Sequence, residues 1–123
     1  MKKNLKYKYA AGKQINEASG RIYAVAGFRL PSVTRILSRT KDQGFLKEWR
    51  AKVGDKEADR IMNLSSVRGT AMHKYLESHI TDIGYEDLTD TGKQAKTMAE
   101  KVTEIGLAPV DEYNESEVDL YYH

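Results

Sequence analysis

A histidine and a glutamate stand four residues apart in a segment whose apolar residues recur with helical periodicity. His73 and Glu77 closely follow an Arg-Gly-Thr step, and side chains at positions i and i+4 of a helix lie one above the other. The apolar residues form a separate arc: Val67, Ala71, Met72, Tyr75, Leu76 and Ile80. One small ligand or metal ion could therefore contact both polar side chains. The same spacing also occurs on helix faces that contact only solvent.

Charge is distributed unevenly along the chain. The net charge is only +2. Residues 1–74 nevertheless carry 17 Lys and Arg against 6 Asp and Glu, whereas residues 75–123 carry 3 against 12. A strongly basic half indicates a polyanionic partner, most often nucleic acid. The alternative is that the two halves neutralise each other in the folded protein.

Composition excludes several classes of site. The 123 residues are enough for one domain, and the absence of cysteine excludes disulfides, thiolate metal sites and cysteine nucleophiles. No apolar run could span a bilayer, and no signal-peptide core follows the basic N-terminal residues. We therefore expect a cytoplasmic chain with no membrane partner.

Strand patterns are found near both ends of the sequence. Residues Gln14–Glu17 and Arg21–Arg29 flank an Ala-Ser-Gly turn and predict a short hairpin. Residues Ser116–His123 alternate apolar and polar side chains, as half-buried strands do. A lone strand leaves its backbone groups unpaired. This last strand must therefore pair with the hairpin or with another polypeptide.

The middle of the chain predicts helices. Ser32 is a natural N-cap for a helix that continues through Leu37. Further helices are expected at Gln43–Val53, at Lys56–Met62, from a cap at Ser65 or Ser66 through Ile80, and from a cap at Asp90 or Thr91 to Ile105. The fold class is therefore α+β, mainly helical, with a small N-terminal β-hairpin and a C-terminal strand.

Several of these segments, taken in order, resemble a known family. They are Leu30-Pro-Ser-Val-Thr-Arg-Ile-Leu37, Phe45–Trp49, Arg68-Gly-Thr-Ala-Met-His73 with Glu77, and Ser116–Tyr122. Their order and spacing resemble the opening of RecB-like exonucleases of the PD-(D/E)XK superfamily, in the phage and mitochondrial genome-maintenance branch. The resemblance covers roughly residues 21–123. It implies that these residues form the helical front part and first core strand of an incomplete nuclease-like core. Residues 1–20, which precede it, are expected to form a basic arm with the first hairpin strand.

The resemblance implies metal-dependent cleavage of DNA phosphodiester bonds, with single-stranded DNA or DNA ends as substrate. His73 matches a histidine that helps to bind Mg²⁺ or Mn²⁺ in this family. Glu77 occupies the neighbouring acidic position, where it would hold or orient a water on the metal. Glu117 matches the acidic residue of the first core strand. For a phage protein, the location would be the cytoplasm of the bacterial host.

Hydroxyl and guanidinium groups provide the candidate DNA contacts. The candidates are Ser32, Thr34, Arg35, Arg39, Arg68 and Thr70. The first three match the start of a helix that approaches the DNA backbone in this family, and a helix N-terminus suits phosphate. Arg39 lies one turn beyond Arg35. Arg68, directly before Gly69, could equally bind phosphate or pair with an acidic residue.

The sequence departs from the family pattern in one respect. The superfamily cleaves with an Asp on one strand and an Asp/Glu-x-Lys on the next, which together hold the metal and the attacking water. No Asp/Glu-x-Lys occurs in residues 1–123. We expect the chain to be the N-terminal portion of a split or truncated exonuclease, inactive alone and completed by a second polypeptide. A non-catalytic DNA-binding module or regulator derived from such a nuclease, or an unrelated helical protein, would be the alternatives.

Overall fold

A computed structural model describes residues 1–122. The elements in chain order are β1 (Lys2–Lys3), β2 (Gly12–Glu17), β3 (Gly20–Val25), β4 (Phe28–Pro31), α1 (Val33–Thr40), α2 (Gly44–Val53), α3 (Asp55–Thr81), α4 (Asp90–Ile105) and β5 (Glu112–Tyr113). The α+β class is confirmed. The chain divides into two compact units. We call Met1–Tyr7 with Val53–Glu117 the two-helix unit, and Lys8–Lys52 with residues 118–122 the sheet unit.

Small side chains form the contact between the two long helices. Ala71 of α3 and Ala95 and Ala99 of α4 are buried, and α3 and α4 pack against each other. Side chains this small allow helix axes to approach closely. The predicted apolar arc of α3 is only partly covered, because Val67 is 59% exposed.

A capped turn begins α4. Thr89 has extended backbone angles, and its hydroxyl accepts a hydrogen bond from the Gly92 N–H at 3.0 Å. The N-cap is therefore Thr89 rather than the predicted Asp90 or Thr91, because its hydroxyl is the one that reaches an unpaired N–H of the first turn. The predicted end of the helix at Ile105, followed by Gly106, is confirmed.

A short parallel pair links distant parts of the two-helix unit. β1 pairs with β5 through Lys2↔Glu112 and Lys3↔Tyr113. Beyond the strands, Lys3 Nζ donates to Glu115 Oε2 at 2.9 Å. This hydrogen bond raises the pKa of Lys3 and lowers the pKa of Glu115.

The predicted hairpin is confirmed but is part of a larger sheet. β2, β3 and β4 form an antiparallel meander. The sequence interpretation of Arg21–Arg29 as one strand was wrong, because Ala26 and Gly27 have φ values of 50° and 80° and form a tight turn between β3 and β4. Two consecutive residues of positive φ match the twist of a hairpin turn.

Both helices of the sheet unit follow their local signals. Ser32 caps α1 as predicted, since its hydroxyl accepts from the Arg35 N–H at 3.2 Å. The predicted helix Gln43–Val53 is confirmed as α2, which begins one residue later, at Gly44.

The predicted break between Lys56–Met62 and the His73 helix was wrong. Helix α3 continues without interruption from Asp55 to Thr81. Segment 63–66 contains asparagine, leucine and two serines. Leucine is a strong helix former, and the asparagine and each serine lower helix stability by only about 0.5 kcal/mol. Because the helix continues through Ser65 and Ser66, neither serine is an N-cap. The segment also contains no proline or glycine, the residues that interrupt a helix most strongly.

The predicted strand Ser116–His123 was also wrong. Residues 116–122 contain no strand, and Glu117 has a φ of 54°, which interrupts an extended backbone. His123 lies outside the described residues. In the sheet unit, Tyr121 packs its ring against Phe28 of β4, with centroids 6.5 Å apart. Tyr121 therefore contacts the sheet through its ring, and the segment does not add a strand. Among the described residues, no helix is long and apolar enough to cross a membrane.

Candidate metal site and nucleic-acid contacts

Helix α3 places its polar residues along one open cleft of the two-helix unit. The cleft has a volume of about 450 Å³ and is lined by Ser65, Ser66, Gly69, Thr70, His73, Lys74, Glu77 and Glu117. Thr70, His73 and Glu77 follow each other at spacings of three and four residues, so a continuous helix presents them on one face. The cleft therefore contains every residue for which we predicted a catalytic role.

Glu117 reaches this cleft from a distant part of the sequence. It lies four residues beyond β5, and its Oε1 is 3.9 Å from Nδ1 of His73. Both side chains are about two-thirds exposed. A distance of 3.9 Å is too long for a hydrogen bond. It allows an ion pair only when the imidazole is protonated.

A shared metal ion would require a shorter distance. Two donor atoms about 2.1 Å from one divalent ion are roughly 3.0–3.4 Å apart when they subtend about 90–109° at the ion, so the two side chains would have to approach each other by about 0.5–0.9 Å. An imidazole and a carboxylate could both bind Mn²⁺, whereas Mg²⁺ favours oxygen ligands. Within residues 1–122, no three His, Cys, Asp or Glu side chains are grouped closely enough to hold a metal ion. Among the described residues, His73 and Glu117 are therefore at most two candidate ligands.

The six DNA-binding candidates fall in separate places. Arg35 and Arg39 line a groove of about 400 Å³ in the sheet unit. Ser32 belongs to the N-terminus of α1, where its hydroxyl is occupied as a cap and lies 3.2 Å from the Thr34 hydroxyl. Ser32 therefore has a structural role as the cap of α1. The guanidinium groups of Arg35 and Arg39 are the groups that an anion in the groove could contact.

Arg68 and Thr70 belong to the two-helix unit. Arg68 Nη1 donates to Gln94 Oε1 at 3.4 Å, across the contact between α3 and α4. The sequence predicted that Arg68 binds phosphate or pairs with an acidic residue. In the structure its side chain pairs with the amide of Gln94. Thr70 lines the His73 cleft, where its hydroxyl could donate to a phosphate oxygen.

Sequence reasoning missed three residues at these places. Arg29 of β4 lines the same groove as Arg35, and Glu17 of β2 forms an ion pair with Arg29. Lys74 lines the His73 cleft. The Ala26-Gly27 pair could have indicated the position of Arg29. A turn at this pair changes the face of the sheet on which the following residues lie, and it places Arg29 on the same face as Ile22.

Comparison with known proteins does not assign this chain to a family. No protein-family model, no curated protein and no solved structure matches this chain. The His73 cleft and the distribution of charge are therefore the features from which a function can be inferred.

Proposed function

We propose that this chain is part of a metal-dependent DNA exonuclease of the RecB-like type. It would grip DNA and contribute part of the metal site, while strands carrying the Asp and the Asp/Glu-x-Lys come from another polypeptide. The observation that carries the proposal is the position of Glu117 within 3.9 Å of His73, in a cleft that Glu77 and Thr70 also line. His73, Glu77 and Glu117 are the three residues to which the sequence resemblance assigned catalytic roles.

Each residue of the cleft has a role that follows from its chemistry. The neutral His73 imidazole and the Glu117 carboxylate would hold the ion, with Glu77 accepting a hydrogen bond from a water beside it. The Thr70 hydroxyl and the Lys74 ammonium would contact the substrate phosphate. A bound Mg²⁺ or Mn²⁺ would polarise the phosphodiester and lower the pKa of a bound water.

Exposed apolar side chains support the need for a partner. In the two-helix unit, Ile83 is 70% exposed, Leu88 74% and Ile105 76%. The buried apolar residues of the described chain are one valine and four alanines. Exposed apolar side chains over so few buried ones are compatible with further chain packing on this unit. The proposal assigns that role to nuclease strands outside residues 1–123.

The test is a nuclease assay on end-labelled single- and double-stranded DNA with Mn²⁺ or Mg²⁺. The chain is assayed alone and then with the polypeptide encoded immediately downstream. We expect cleavage only in the mixture. We also expect His73→Ala to lower the rate by at least about 100-fold, the upper end of the losses from disturbed outer-shell partners of a metal. DNA affinity should change little.

His79→Ala is the matched control, because His79 lies on the same helix but lines a different cleft. It should retain the wild-type rate. Binding of Mn²⁺ alone, followed by paramagnetic broadening of the His73 ring resonances, gives a readout that does not depend on cleavage. Wild-type cleavage by His73→Ala would refute the metal-ligand role. DNA binding without cleavage in any mixture would instead favour the non-catalytic module.

A further inference from the structure

The sheet unit contains a second groove, formed by one face of the sheet and helix α1. The register pairs Ile22 with Pro31 and Ala24 with Arg29, so Ile22, Arg29 and Pro31 lie on the same face. Arg35, Ile36 and Arg39 of α1 complete a groove of about 400 Å³. Its lining is therefore three arginines and three apolar side chains.

Two of these arginines are presented by α1 at a fixed spacing. Arg35 and Arg39 are one turn apart, which is a rise of about 6 Å along the helix. Within residues 1–122, neither forms an ion pair. The stem of Arg35 passes Gly20, where an added Cβ would lie 3.2 Å from its Cδ. Gly20 itself has a φ of 125°. The absence of a side chain at Gly20 therefore leaves room for the Arg35 stem beside the β2–β3 turn.

The third arginine has a competing partner. Arg29 Nη2 donates to the Glu17 carboxylate, and the two side chains are 64% and 35% exposed. Ion pairs this exposed contribute little to stability. An anion that enters the groove can therefore replace Glu17 on Arg29 at small cost.

We propose that this groove binds the backbone of a single-stranded nucleic acid. Arg29, Arg35 and Arg39 would contact successive phosphates, because guanidinium groups bind phosphate in a bidentate manner. The apolar side chains between them would face the bases. In a duplex the bases are stacked inside, where the apolar side chains of the groove could not contact them. A single strand exposes its bases to such contacts. The inference rests on the proposed function in taking nucleic acid as the ligand and Arg35 and Arg39 as contacts. It adds Arg29, the apolar floor and the preference for a single strand, and it requires no cleavage.

The experiment is fluorescence anisotropy with labelled oligodeoxythymidylate, in EDTA, over a series of salt concentrations. Arg35→Ala and Arg29→Ala should each weaken binding about 5- to 10-fold. Each should also reduce the slope of log affinity against log salt by about 0.7, the value for one phosphate contact on a single strand. Glu17→Gln should strengthen binding about 2- to 5-fold, since it frees Arg29.

Arg21→Ala is the matched control, because Arg21 lies on β3 next to Ile22 and therefore points to the opposite face. It should leave both the affinity and the salt slope near wild type, and circular dichroism checks that all variants are folded. An equal loss for Arg21→Ala and Arg35→Ala would overturn the proposal. A duplex bound as tightly as the single strand, or no binding at all, would also overturn it.

The two proposals fail in different ways. Groove-dependent binding in EDTA by a chain that never cleaves DNA in any mixture supports the groove and rejects the nuclease. Cleavage that depends on His73, with normal single-strand binding by Arg35→Ala, rejects the groove and supports the nuclease.

Discussion

Gly92 provides the sharpest test of how the two-helix unit is packed. It lies in the first turn of α4 and is buried. A Cβ added there would overlap the Asp87 carboxyl group and the Asp87 carbonyl oxygen. One of these three atoms is a backbone oxygen and the other two belong to the short Asp87 side chain. Gly92→Ala can therefore be accommodated only if the Asp87 segment moves away from α4.

The cost follows from the hydrogen bonds that hold Asp87. Its N–H donates to the Tyr75 hydroxyl at 2.8 Å, and its carbonyl accepts from that hydroxyl at 3.3 Å. Its carboxylate accepts from the Thr89 N–H at 3.0 Å and from the Thr89 hydroxyl at 2.7 Å. Loss of two or three of these bonds costs about 2–3 kcal/mol. Alanine regains about 1 kcal/mol as the better helix former, so we expect a net loss of about 1–2 kcal/mol.

Gly69→Ala is the matched control. Gly69 lies inside α3, and nothing is within 4 Å of an added Cβ. This variant should gain about 0.5–1 kcal/mol from helix propensity alone. Urea denaturation followed by far-UV circular dichroism measures both free energies of unfolding, and the signal comes mostly from α3 and α4. Trp49 fluorescence separately reports α2. Shifts of the urea midpoint in the same direction for both glycines would refute the packing argument.

Two further predictions concern the contact between α3 and Asp87. Tyr75→Phe removes the hydroxyl that bonds the Asp87 N–H and carbonyl, so it should lower the free energy of unfolding by about 1–2 kcal/mol; a urea midpoint equal to wild type would contradict this. Hydrogen bonds from the Thr89 hydroxyl and N–H hold the pKa of Asp87 below its ordinary value of 3.8. The unfolded chain therefore binds this proton at higher pH, and the stability that the carboxylate contributes is complete above about pH 4 and lost as the pH falls through the lowered pKa. Asp87→Asn should show a shallower acid decline in urea midpoints measured from neutral pH downwards, and an unchanged decline would count against this role.

The sequence predicted the helices where a local signal was sufficient. Ser32 was recognised as the N-cap of α1, and Ile105 as the last residue of α4, because both signals depend on residues within about one turn. The break in α3 was predicted wrongly for a related reason. Polar residues such as those in segment 63–66 are common in loops, yet each costs a helix too little to end it.

The candidate site was predicted in part. His73 and Glu77 share one helix, so their proximity follows from helical periodicity alone. Glu117 was chosen for its place in a predicted strand that the structure does not contain. No pattern in the residues around Glu117 indicates that its carboxylate lies 3.9 Å from His73. That distance depends on the path of the chain after α4.

Local sequence was sufficient to identify the helical segments, the Ser32 cap and the hairpin β2–β3, since these depend on contacts between near neighbours in the chain. Tertiary structure determined the absence of a strand at 116–122, the approach of Glu117 to His73 and the place of Arg29 beside Arg35. The reason is physical. A strand acquires its hydrogen-bonding partner, and a side chain its neighbours, only when segments distant in sequence pack together.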